Sequence, residues 1–197
     1  MAEMVAAVPR QGGQRRAIGR LSAGAVIVAA GLGGGVGLLT STAYPQFADP
    51  VSGAFGPAGA VLTVLHVLML AGIGGLALGR GAGTGKFAML AYALAMLGLA
   101  GQAIAEALLR FNFQEGNALF GYVVPLMAVG FVLVGIAVLR SRAWYGWHRF
   151  TPLACGLYVP VVLIPAFALS HGVSFPALTV WQIPFLLLGL AMWSEAR

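Results

Sequence analysis

Four polar side chains lie inside long apolar stretches of this sequence: His66, Gln102, Glu106 and Gln182. The imidazole and the carboxylate can take up and release protons, and the two amides can orient a ligand with paired donors and acceptors. Gln102, Glu106 and Arg110 follow the spacing i, i+4, i+8, which places them on one helix face. Polar groups in hydrocarbon are costly unless they are partnered or hydrated, so they nominate a functional site. At the helical rise, His66 and Gln102 each lie roughly 12 Å inside one end of their spans. Glu106 is one turn nearer that end, and Gln182 enters from the same side. The expectation is a ligand-binding pocket of His66, Gln102, Glu106 and Gln182 in the outer half of a helical bundle, with Tyr122 at its rim. A structural reading of the same residues stands beside it. Glu106 then pairs with Arg110, Gln102 bonds a neighbouring backbone, and His66 donates to a carbonyl or to Thr63.

Other chemistry finds less support. The loop GAGTGK, residues 81–86, resembles a phosphate-binding loop, but Arg80 and Phe87 stand where that pattern needs glycine and a hydroxyl residue. The glycine run GLGGGVG, residues 31–37, completes no dinucleotide fingerprint. There is no nucleophile elbow and no HExxH, and Asp49 is the sole aspartate. Haem needs two facing axial histidines, whereas His66, His148 and His171 are distributed over both ends of the bundle or lie in a link. A zinc site of His66, His171 and Glu106 is conceivable by inventory alone. The sequence therefore predicts no cofactor and no metal, and a non-enzymatic role over a redox or lipid-modifying one.

The elements that must position these residues follow from composition. Hydrophobic residues make up 60% of the 197 and charged residues 8%, against about 25% charged in soluble domains. Too few polar side chains are present to build a water-facing surface, whereas a bilayer permits an apolar exterior. Apolar spans are read at about 21–43, 58–79, 87–109, 118–139, 150–170 and 177–193. The fold class is thus all-α, an integral membrane bundle of six transmembrane helices. Residues 1–20 read as a flexible basic cytoplasmic tail, and residues 21–197 as the transmembrane domain. A cleaved leader ending near Ala43 is the less favoured alternative, because the first apolar stretch is longer than a typical leader core.

Basic residues orient the bundle. With the N-terminus inside, Arg10, Arg15, Arg16, Arg20, Arg80, Lys86, Arg140, Arg142, Arg149 and Arg197 are internal, and only Arg110 is external. Both termini are then cytoplasmic. The net charge of +6 reads as a topology signal and a contact with anionic lipid rather than with nucleic acid. Gly31 and Gly35 in the first span, with Gly75 and Gly79 in the second, are expected to let helices approach closely, within the chain or across a homo-oligomer. The segment holding Arg140, Arg142, Trp144, Trp147 and Arg149 is expected to anchor the bundle at the membrane interface. Cys155 is alone, so no disulfide forms within the chain.

The stretch WYGWHRFTPLACGLY, residues 144–158, resembles a segment recurring in small, uncharacterised polytopic membrane proteins of actinobacteria. The resemblance implies a bacterial plasma membrane and carries no activity or site residues with it. The function expected is binding or transport of a small molecule or lipid through the outer polar pocket. The alternatives are an accessory subunit of a membrane complex and a membrane-embedded enzyme.

Overall fold

A computed structural model describes residues 10–196. Seven α-helices make six membrane-length elements, and no strand occurs among the described residues. They are α1 (Arg10–Thr42), α2 (Phe55–Leu78), α3 (Lys86–Leu109), α4 (Phe113–Ser141), α5 (Thr151–Tyr158), α6 (Ile164–Ser170) and α7 (Phe175–Glu195). A π turn, Val159–Leu163, joins α5 to α6 into one broken span. From α1 to α5 each helix packs on the next, and α7 lies against both α1 and α5 to close the ring. The centre holds Met69, Ile73, Leu99, Met127, Phe131 and Leu188, all essentially inaccessible. Large apolar side chains such as Leu21, Leu78, Met89 and Leu169 face outward, as a lipid-facing surface requires.

The first helix begins at Arg10, well before the expected Leu21. Residues 10–20 lack an apolar period, so they read as tail. Extending an existing helix adds one hydrogen bond per residue fixed, and Arg, Gln and Ala are good helix formers. At 33 residues, α1 is about 50 Å long. It exceeds a hydrocarbon core of about 30 Å, which leaves its arginine-bearing first turns beyond the apolar layer. Residues 1–9 of the expected tail lie outside the described residues. The fourth helix also starts early, at Phe113, where the Asn112 side chain accepts the Glu115 N–H at 3.3 Å.

Small residues set the helix contacts, although not all of those expected. Nothing lies within 4 Å of a Cβ built at Gly31 or Gly35, and both glycines face outward. The offset pair does the packing: a Cβ at Gly33 would stand 2.7 Å from Gln182 Cδ, and one at Gly37 would run into Thr179, both on α7. The two pairs share a spacing and differ by two residues, about 200° around the helix, and spacing alone could not choose between them. Gly75 seats Ser22 of α1, whereas Gly79 meets only its own helix, where it is the C-cap of α2. α3 meets α4 closely, with Gly98 against the Met127 backbone and Gly130 against Ala95.

Pro160 accounts for the broken span. Without an N–H it cannot bond the Gly156 carbonyl, which instead accepts the Val159 N–H. The Cys155 carbonyl is thereby released and accepts Trp181 Nε1–H at 3.2 Å. Trp181 continues into a ring cluster with Phe185 at 5.7 Å, which meets Phe131 edge-on at 5.3 Å.

Candidate functional site

His66 sits on α2, and its Nδ1 donates to the Leu62 carbonyl of its own helix at 2.9 Å. Its Nε2 lies 2.9 Å from Gln102 Oε1 on α3. The Gln102 amide nitrogen in turn reaches Met127 Sδ on α4, at 2.8 Å. One polar thread therefore crosses three helices. A helix interior exhausts its own carbonyls, so a half-buried histidine must borrow the carbonyl one turn back and find its second partner on a neighbour.

Proton inventory couples the two side chains. With both ring nitrogens facing carbonyl oxygens, the imidazole needs a proton on each. A neutral ring donating from Nδ1 needs the Gln102 amide turned, with its NH2 toward Nε2 and its oxygen toward the sulfur. The orientation of Gln102 therefore follows the protonation of His66.

Glu106 lies one turn from Gln102, buried at 8% exposure. Its carboxylate makes no hydrogen bond or ion pair with any described residue, and the expected pairing with Arg110 does not form. Arg110 reaches across to α2 instead. Its methylenes lie 3.7 Å from a Cβ built at Gly59, and Nη2 stands 3.4 Å from Thr63 Oγ1. Thr63 donates to Gly59 O, so it serves Arg110 rather than His66. Gly59 leaves the groove that the arginine stem occupies.

The other two expected pocket residues are elsewhere. Gln182 sits where α7 meets Gly33 of α1 and Leu65 of α2, and its Oε1 is buried without a partner. Tyr122 is 77% exposed on α4. Among the described residues no three His, Cys, Asp or Glu side chains lie close enough to hold a metal ion. Two cavities lie toward the arginine-rich end, of about 310 Å³ and about 770 Å³. Neither is lined by His66, Gln102, Glu106 or Gln182. His66 and Gln102 thus form a polar seam between α2 and α3, with Glu106 one turn along α3.

At the arginine-rich end the loop after α4 is partly core. Trp144 is 5% exposed, so it is a packing residue and not the interfacial anchor expected of it. Trp147 and Arg149 are exposed, and Arg142 is exposed at the left-handed C-cap of α4. Arg140 stacks over Phe87 at 5.5 Å, tying α4 to α3. Glu195 fastens the end of α7 to this loop through His148 Nδ1 at 2.9 Å.

Met127 and Trp181 are the partners sequence reasoning missed. A methionine reads as apolar filler, and Trp181 gains its partner only through a carbonyl that a proline releases. No family model, curated protein or solved structure matches this chain.

Proposed function

We propose that this chain is a multi-pass protein of a bacterial plasma membrane, with both termini cytoplasmic, that binds a small polar or cationic molecule in its α2–α3 seam. Its role on this reading is transport or sensing rather than covalent chemistry. The observation that carries the reading is Glu106. Glu106 is 8% exposed and its carboxylate makes no hydrogen bond or ion pair among the described residues, while its oxygens are not sealed from the surface, so a ligand or proton can supply the missing partner. His66 and Gln102 supply a second polar group one turn deeper, with its own adjustable donor pattern. Arg110 lies beside the outer end of this seam, held to Thr63 by one long bond.

The test is a thermal-shift screen of the purified full chain in detergent against small amines, amino acids and inorganic cations. A compound that raises Tm is expected to lose its effect in Glu106→Gln and to weaken in Gln102→Leu. Retention of the full shift in Glu106→Gln overturns the reading.

An accessory-subunit role is the second reading, favoured by the open face of α1. Gly31 and Gly35 have nothing within 4 Å of a built Cβ, so a helix from another chain could approach there. Gly31→Leu and Gly35→Leu would then dissolve a complex isolated in mild detergent, while leaving the monomer folded.

A further inference from the structure

A groove of about 770 Å³ runs along the outside of the bundle between α2 and α3, separate from the polar seam. Its walls are apolar and its side chains short or flexible: Leu70 and Ala77 from α2, with Met89, Ala93, Met96 and Ala100 from α3. Met89 and Ala100 are eleven residues apart, which is about 16 Å along the helix. One leaflet of a bilayer contributes about 15 Å of hydrocarbon, so the groove has the length of one acyl layer.

Its arginine-rich end is polar. Arg80, Gly83 and Thr84 line it, and Lys86 follows at the first position of α3. The Arg80 side chain makes no ion pair among the described residues. No side chain caps the N-terminus of α3, so its first N–H groups and the helix dipole add to the positive field. The loop itself is held in place. Tyr92, 5% exposed and lining the groove, accepts the Ala82 N–H at 2.9 Å, and its own hydroxyl proton has no acceptor among the described residues. Arg80 adopts φ +60°, a left-handed conformation that arginine enters only when its surroundings require it.

We propose that this groove is a binding site for an anionic phospholipid, with one acyl chain between α2 and α3 and the phosphate at Arg80, Lys86 and the start of α3. Tyr92 donates its free proton to an ester oxygen of the bound lipid. Apolar walls of leaflet length with cationic groups at one end match a phospholipid in both shape and charge. A partner helix would leave Arg80 and Lys86 unanswered.

Native mass spectrometry of the full chain, released from detergent with phosphatidylglycerol or phosphatidylcholine of identical acyl chains, tests the assignment. Wild type is expected to retain phosphatidylglycerol in preference. Arg80→Asn keeps a residue that tolerates the left-handed backbone and is expected to lower that preference about fivefold, the weight of one basic residue at an anionic surface. Ala100→Phe fills the deep end and is expected to reduce retention of both lipids, with an unchanged melting transition confirming that it folds. Arg142→Asn, also left-handed but outside the groove, removes one charge from the same end and is expected to lower the preference clearly less than Arg80→Asn. Equal loss in Arg80→Asn and Arg142→Asn overturns the proposal, because it makes the attraction a general property of the basic end. So does a folded Ala100→Phe that retains lipid normally, or a wild-type dimer that Ala100→Phe converts to monomer, since a second copy then fills the groove.

Discussion

Replacing Gly98 by alanine sets two opposed effects against each other. Alanine gains about 1 kcal/mol of helix propensity over glycine. At Gly98 the added Cβ would stand 2.5 Å from Met127 Cα, whereas carbon atoms settle at about 3.5–4.0 Å. Helices α3 and α4 must therefore part by about 1 Å, and overpacking of this kind costs about 1–3 kcal/mol. Because Met127 also receives the Gln102 amide, the movement strains the polar seam as well. Gly31→Ala is the matched control. It adds the same methyl with nothing within 4 Å, so only the propensity gain remains. The gap between the two variants isolates the steric cost, about 1–3 kcal/mol, or about 2–4 °C in Tm for each kcal/mol. Thermal unfolding of both variants in one detergent, followed by circular dichroism, reads it. Equal melting temperatures, or a more stable Gly98→Ala, would refute the close α3–α4 approach.

Three further outcomes follow from the same geometry. A double-mutant cycle with His66→Phe and Gln102→Leu is expected to show coupling of about 0.6–1.7 kcal/mol by chemical unfolding, the range of interhelical hydrogen bonds in membranes; additive effects would mean that the two side chains do not bond. Trp181→Phe keeps an aromatic side chain but loses the indole N–H and strands the Cys155 carbonyl, and is expected to cost about 1–3 kcal/mol in the same assay. Glu195→Gln replaces the carboxylate that His148 Nδ1 meets at the end of α7 and is expected to shift Tm little, since surface pairs of this kind contribute about 0–1 kcal/mol; a large loss would show that this contact secures the last helix.

The six spans were legible because each is apolar over membrane length, a property of composition that packing does not alter. Their boundaries were less so. The extension of α1 to Arg10 and the π turn after Tyr158 depend on helix continuation and on Pro160, neither of which changes an apolar average. His66, Gln102 and Glu106 were legible as outliers in apolar surroundings, and depth estimates placed His66 beside Gln102. Direction around the helix was not legible. Gln182 shares the expected depth, yet it turns toward Gly33, and Tyr122 turns outward. The same ambiguity left open which of the two glycine pairs, Gly31 and Gly35 or Gly33 and Gly37, meets α7. With small residues on several faces of α1, only the neighbouring helices decide which face is used.

On the proposed function, Glu106 serves a partner outside the chain and does not hold the bundle together. The melting temperature of Glu106→Gln without ligand tests it most directly. Replacing a carboxylate that makes no hydrogen bond or ion pair among the described residues, while retaining its volume, is predicted to leave Tm unchanged or to raise it, as expected where a site sacrifices stability for function. A clear fall in Tm would contradict the account, because it would show that the carboxylate already has a structural partner within the bundle.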